Sequence, residues 1–407
     1  MAVATTDGVR VLALSDVAVG YGSPQVQYLL HSLQQHYSNA SLLLVEPDQK
    51  RRVPRQPIYQ SIEVVRISTT FPPYDERFMI EFALEARRIL EEYRPHIVIG
   101  IHGWVLPALL TMARRPSLFI YYMLESFSHQ RMGIGSMAIE LNRLALGMAD
   151  IVLVPERRRA EADLRVQGWR ADNLVEMYNA SPIGAIRNSV DPKDREPRVL
   201  YAGSVGPDTL SAWMGLDSVA DVAFDIAGPA DTAAAREILT QLSRRRNVRY
   251  LGVLSQAQLT AIRGNYAWSL VMWDPSNINQ LYASPNKFFE TIQAGVPPIA
   301  APHPQCADII ARLGCGRVMM DWKEDTFVYT VRDCMRIFRE EPETYATYVA
   351  ACDFAAAQEL NWEAQFAQIT SRLPPREYIL GLAHNRHDSS GYRYSDDART
   401  ASAFNRK

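Results

Sequence analysis

Residues 284–300 read SPNKFFETIQAGVPPIA, and the fold follows from how this stretch is parsed. Ser284 is a residue type that caps helix N-termini, and Pro285 suits the first helical position, where a missing N–H costs nothing. Gly295 suits the stop, because helices commonly end on a left-handed residue. The run VPPIA then resumes an apolar strand. A strand-like run at 267–272 (AWSLVM) and a polar loop at 273–283 (WDPSNINQLYA) come before it. Strand, loop, helix and strand in this order predict a βαβ unit, with its two strands parallel.

The same alternation extends outward in both directions. In the second half, strand-like runs recur at 198–202, 222–227, 248–251, 267–272, 296–300 and 316–320. Helical patterns lie near 232–245, 255–263, 285–294, 304–313, 325–340 and 343–357. In the first half, strands read at 9–15 (VRVLALS), 41–46, 63–68, 96–101, 117–123 and 150–155. Helices read near 24–36, 77–93, 104–114, 136–147 and 156–167. Near-continuous apolar strands between amphipathic helices mean parallel sheets covered on both faces. The expected fold is α/β with two Rossmann-like domains, 1–185 and 186–360, joined through a polar linker at 183–197. A further helix at 361–373, within a segment 361–384, precedes a tail at 385–407 expected to be disordered.

Composition narrows the function. The 407 residues are 47% hydrophobic and 22% charged, which excludes fibrous and wholly disordered classes. The net charge is -2, and residues 1–190 hold 20 basic against 19 acidic side chains. Neither half is a basic module, so nucleic acid is excluded as the main partner. No apolar run reaches the ~18 residues of a membrane span, and the N-terminus lacks a signal-peptide pattern. Cys306, Cys315, Cys334 and Cys352 fit no zinc spacing and are expected to be reduced and buried, which points to the cytoplasm. Arg157-Arg158-Arg159 reads as a solvated helix face offset by Glu156, Glu161 and Asp163. Weak peripheral membrane association stays open.

Ligands of open α/β sheets sit beyond the carboxyl ends of the strands, where the helix of 285–294 begins. Free N–H groups at Asn286 and Lys287 and the helix dipole suit a pyrophosphate, and Lys287 adds a mobile positive charge. Glu290 lies where a carboxylate can accept hydrogen bonds from a ribose diol. This segment resembles the donor-site helix of GT-B glycosyltransferases, specifically the GT4-like group with the signature PNK-x-x-E-x-x-x-x-G-x-P. Other segments match in order. RVLYAGSV (198–205) resembles the first strand and glycine loop of the C-terminal domain, FDIAGP (224–229) the next strand, and NVRYLGVLS (247–255) the strand and loop against the base. IVLVPERRRAEADL (151–164) and VEMYNASP (175–182) resemble the end of the N-terminal domain.

The resemblance implies two domains facing a cleft, with the final helix crossing back to the N-terminal domain. It implies transfer of a sugar from a nucleotide-diphosphate sugar to a hydroxyl-bearing acceptor: a glycan, a lipid-linked saccharide or a small molecule. Transfer is expected with retention, the leaving phosphate taking the acceptor proton. The nucleotide is expected to be UDP, with GDP as the other option, and no further cofactor is implied. With no Asp-x-Asp element, metal independence is expected. Donor contacts carry over to Gly22, Gly203, Ser204, Gly252, Val253, Leu254, Asn279, Tyr282, Ser284, Asn286, Lys287 and Glu290. Glu125, His102 and Lys287 carry the catalytic expectation. Two departures stand out. Tyr282 occupies the place of a second glutamate, and Gly203–Pro207 lacks the usual Arg/Lys pair. Phosphate charge then falls to Lys287, backbone N–H groups and the Ser204 hydroxyl, while Asn279 and Tyr282 remain available to a sugar hydroxyl. A non-catalytic subunit of the same fold and a GT-B epimerase are the alternatives. Trp104 reads equally as packing or as a sugar platform.

Overall fold

A computed structural model describes residues 8–16, 18–48, 57–133, 135–186, 190–207 and 218–385. The tail beyond 385 and linker residues 187–189 lie outside the described residues.

Two parallel sheets form. The first holds β1 (Arg10–Ser15), β2 (Ser41–Pro47), β3 (Ile62–Ile67), β4 (Ile97–Ile101), β5 (Leu118–Tyr122), β6 (Ile151–Val154) and β7 (Leu174–Glu176), in the order β3-β2-β1-β4-β5-β6-β7. The second holds β8 (Glu196–Ala202), β9 (Ala223–Ala227), β10 (Val248–Tyr250), β11 (Tyr266–Val271), β12 (Pro298–Ala300) and β13 (Arg317–Val318), in the order β10-β9-β8-β11-β12-β13. Alternate strand residues feed opposite layers. Leu12, Leu14, Val98 and Phe119 pack with helix Glu76–Tyr93, whereas Val11, Ala13, Ile97 and Ile99 pack with helix Pro24–His36. Burial on both faces is why these strands are apolar throughout.

The sheet orders create the crevices. β1 lies between β2 and β4, and β8 lies between β9 and β11, so strand order reverses at each. The carboxyl ends at a reversal point open a gap between crossover connections running to opposite faces.

Three local expectations are corrected. The helix expected at 104–114 is a 3-10 turn, Gly103–Val105, followed by a four-residue helix Pro107–Leu110. Pro107 has no N–H to continue a longer helix through it. β7 was not anticipated, because three residues carry no readable period. The helix expected at 361–373 ends at Thr370, and a second one, Arg376–Asn385, starts after Pro374-Pro375.

These last helices lie on the first sheet's side. Trp362 Nε1 donates to Ser32 Oγ at 2.8 Å, Tyr37 Oη donates to Pro374 O at 2.9 Å, and Trp362, Ile369, Leu373 and Ile379 join the core around Val26 and Leu30. Where the chain returns, it runs beside its outgoing passage. Trp362 N donates to Ser181 O at 3.0 Å, and Tyr178 N donates to Gln365 Oε1 at 3.0 Å.

Candidate functional site

On the second sheet, β8, β9 and β10 run into Gly203, Gly228 and Gly252. Gly228 has φ +147°, and a Cβ there would stand 1.9 Å from Gly203 O. Only glycine allows two strand ends to touch through backbone in this way. Gly228 N donates to Gly252 O at 2.9 Å, which closes the row. Ser204 is exposed beside it and its carbonyl accepts from Tyr201 Oη at 2.7 Å. Val253 is exposed and Leu254 half-buried beyond β10. These positions form a backbone-lined floor.

The helix expected to start at 285 spans Asn286–Gln293, with Pro285 at the cap position and no side-chain cap. Ser284, expected as the cap, is drawn elsewhere: its hydroxyl donates to Pro155 O at 3.2 Å, and its carbonyl accepts from Asn179 Nδ2 at 2.6 Å. The carbonyl that follows β6 outcompetes the helix for this hydroxyl. The first turn therefore begins without a capping side chain.

Lys287 is not the mobile charge expected. It is 9% exposed, with Nζ 3.9 Å from the Tyr201 ring centroid and 4.1 Å from that of Trp273. Among the described residues Nζ has no hydrogen-bond partner. A Cβ on Gly203 would stand 2.6 Å from it, so the glycine makes room for the ammonium. Burial pushes this amine down to about 7, against the pull of Glu290 and with a push from Arg263. Two aromatic faces replace part of the lost hydration.

Glu290 is not a free carboxylate either. Arg263 Nη2 lies 2.7 Å from its Oε2, and Gln256 Nε2 donates to Oε1 at 3.3 Å. Sequence reading missed Arg263, because a basic residue ending helix Gln256–Arg263 satisfies the helix dipole without further explanation.

The first sheet's carboxyl ends carry side chains instead. His102 follows β4 with φ +64°, a region β-carbon residues rarely occupy. Its Nδ1 lies 2.8 Å from Oδ1 of the fully buried Asp16, which follows β1. Its Nε2 is buried without a partner among the described residues. Burial alone would push the imidazole down, but the Asp16 carboxylate and the Glu125 charge outweigh it and raise its pKa. Asp16 was missed; its one signal is a carboxylate directly after the apolar run VLALS.

Glu125 follows β5, and its Oε2 lies 3.3 Å from Arg159 Nη1. Burial works to raise this carboxyl, but the charges of Arg159, His129 and His102 hold it below the usual range. Arg159 corrects the reading of 157–159 as a solvated face. It is 5% exposed and also donates to Leu124 O, because helix Arg157–Val166 starts at the carboxyl end of β6 and turns its third residue inward. Arg158 pairs with Asp308 of the second half, and Arg157 donates to Leu174 O at 2.9 Å. Trp104 is packing: it is buried, and its Nε1 donates to Gln130 O at 2.9 Å.

Further contacts bring the faces together. Asn279 Oδ1 accepts from Ser126 N at 3.1 Å, and Asn286 Oδ1 accepts from Gln25 Nε2 at 2.5 Å. Tyr282 is half-buried at the end of the short helix Ile278–Leu281, and Gly22 is exposed before helix Pro24–His36. All four cysteines are buried and free. Among the described residues, no three His, Cys, Asp or Glu side chains converge as a metal site needs, and no helix is long and apolar enough to cross a membrane.

No protein-family model matches the chain, and no curated protein matches it. Solved structures do. Sucrose-phosphate synthase from Thermosynechococcus elongatus superposes with a TM-score of 0.71 at 14% identity, over 89% of this chain and 98% of that one. Anabaena Alr3699/HepE, in complex with UDP and glucose, gives 0.66 at 14% identity over 89% and 99%. A candidate UDP-N-acetylglucosamine 2-epimerase from Listeria monocytogenes gives 0.56 at 11% identity over 86% and 94%. With two reversal-point crevices facing each other across one cleft, the chain has the GT-B fold, the fold of the glycosyltransferases its motifs resemble.

Proposed function

We propose that this chain is a glycosyltransferase moving a hexose from a nucleotide-diphosphate sugar to a hydroxyl-bearing acceptor, with retention and without a metal ion. The observation that carries this reading is Lys287, a buried ammonium with no counter-ion bonded to it among the described residues, beside Gly203 and at the start of an uncapped helix. A positive charge enclosed without an anion is costly unless a ligand supplies one. A pyrophosphate does so, and the helix N-terminus adds to the attraction.

In this reading Gly203, Ser204 and Asn286 meet the phosphates, Glu290 the ribose, and Gly252, Val253 and Leu254 the base. Gly22 approaches the pyrophosphate from the other side. Ser284, its hydroxyl engaged by Pro155 O, is placed beside the helix start rather than against the donor. Glu125, Asn279 and Tyr282 surround the sugar, and His102 faces the sugar or the acceptor. As the glycosidic bond breaks, negative charge grows on the leaving phosphate. Lys287 stabilises that charge, and the phosphate takes the acceptor's proton on the same face. The protein's main contribution is then position and charge. UDP is the proposed nucleotide, with GDP second, and HepE's complex with UDP supports that order. The acceptor is assigned to the N-terminal half, and the free buried cysteines agree with a cytoplasmic protein.

A panel of UDP-, GDP-, ADP- and TDP-sugars read by thermal shift, followed by turnover with and without EDTA, tests this. A UDP-sugar is expected to raise Tm and to be slowly hydrolysed regardless of EDTA. Binding without any turnover would reassign the chain as a non-catalytic subunit. Inversion of a sugar carbon with the nucleotide retained would make it an epimerase.

A further inference from the structure

Lys287 and Glu290 stand three residues apart on helix Asn286–Gln293, a spacing at which lysine and glutamate commonly pair. Here they do not: Lys287 Nζ has no hydrogen-bond partner among the described residues, and Glu290 is held from the other side. The residue that holds it is Arg263, 1% exposed, with Nη2 2.7 Å from Glu290 Oε2. Gln256, two turns earlier on the same helix face, donates to the other carboxylate oxygen.

We propose that Arg263 is a positioning residue: it holds Glu290 away from Lys287 and fixes its outer lone pairs for the nucleotide ribose. This rests on the reading that Glu290 meets that ribose. A carboxylate offers about four acceptor positions; Gln256 takes one by a hydrogen bond, and the Arg263 ion pair at 2.7 Å blocks a second. Two remain at the edge of Glu290, whose side chain is 12% exposed. They match two neighbouring hydroxyls of one ribose. Without Arg263, Lys287, one turn earlier on the same helix, is a cation within pairing reach of Glu290, and pairing with it would remove both the ribose acceptor and the free ammonium. Stability alone is a poor reason for Arg263. A buried ion pair is often no better than apolar packing, and its Nε and Nη2 lack well-aligned acceptors among the described residues. The site gains a carboxylate of fixed direction.

Specificity follows. The held Glu290 should favour ribonucleotides over 2′-deoxyribonucleotides, because a deoxy sugar leaves one prepared acceptor unmet.

The test compares full-length wild type, Arg263→Met, Arg263→Lys and Glu290→Gln by calorimetry with UDP and 2′-deoxy-UDP, or with the GDP pair if UDP does not bind. Tm is recorded for each. Wild type is expected to prefer the ribonucleotide by about tenfold or more. Arg263→Met should bring that ratio close to one, and Arg263→Lys should restore some of it. An Arg263→Met protein with a lowered Tm but an unchanged ratio would make Arg263 a structural tie only and overturn the proposal. If Arg263→Met does not fold, Arg263→Lys decides: a ratio equal to wild type, despite the lost planar fork, overturns it. Wild type without preference, or Glu290→Gln with the full preference, would instead remove the ribose reading itself.

Discussion

The two faces of the cleft are built by opposite means. The C-terminal face is mostly backbone: three strand-end glycines, a helix start, and one lysine between two rings. The N-terminal face is side chains in pairs, Asp16 with His102 and Glu125 with Arg159. Backbone can approach a ligand closely and reads what all nucleotide diphosphates share. Paired side chains hold their own charges in check and place proton donors and acceptors. On the proposed function the difference divides labour: an unbalanced positive face suits a fixed anionic donor, and a balanced face suits a neutral hydroxylic acceptor.

The largest effect expected from this contrast is at Lys287. Lys287→Ala should slow transfer by about 2–4 kcal/mol in barrier, more than it weakens ground-state donor binding, because phosphate charge peaks during bond cleavage. A companion signature is pH. The amine titrates near 7, so wild-type UDP affinity should fall as pH rises through that value, and the fall should vanish in Lys287→Ala. Wild-type rates in Lys287→Ala, or activity lost to EDTA and regained with magnesium, would break the division.

Glu290→Gln comes next, at about 1.5–3 kcal/mol of nucleotide affinity by calorimetry. Free UDP should weaken along with the UDP-sugar, since the contact is to ribose. An unchanged affinity in a folded variant would refute the assignment.

On the opposite face, Asp16→Asn should lower turnover by about tenfold while leaving UDP affinity alone. The imidazole's titration, followed by NMR, should also move to lower pH, because Asp16 is what raises His102. A change in UDP affinity instead would mean the faces do not work separately.

The smallest effect concerns stability. Burial raises the Glu156 carboxyl to about 7, so the folded chain keeps a proton that the unfolded chain releases near pH 4.5. Stability from this group is present at low pH and lost as pH climbs toward 7. Glu156→Gln cannot ionise and still offers an oxygen to Arg159 N. It should flatten the Tm profile between pH 5 and 8. An equally steep profile would place the titration elsewhere.

The same contrast explains what could be read from sequence. The C-terminal face is local: Lys287 and Glu290 share one helix, and each glycine ends its own strand. Buried strands announce themselves as apolar runs, so the sheets were legible too. The N-terminal face joins residues 86 and 34 positions apart, and pairing at that range leaves no local pattern. Arg159 shows the difficulty, since its acidic neighbours made it look solvated while the end of β6 turned it inward. Ser284 shows the converse: its residue type suits a cap, yet Pro285 holds the cap position and a distant carbonyl at Pro155 takes the hydroxyl.

Two passages of chain join the halves, and they lie side by side at Ser181 and Trp362. Mechanically this is an axle. Two neighbouring crossings permit rotation about the line they define and resist sliding or twisting across it. Gln25 meets Asn286 at the start of the helix whose last residue, Gln293, bonds Ser181, so this cleft contact and the crossing are tied through one helix. Because the returning helices end anchored on the first sheet, the axle cannot loosen without unpacking Trp362 from beneath Ser32.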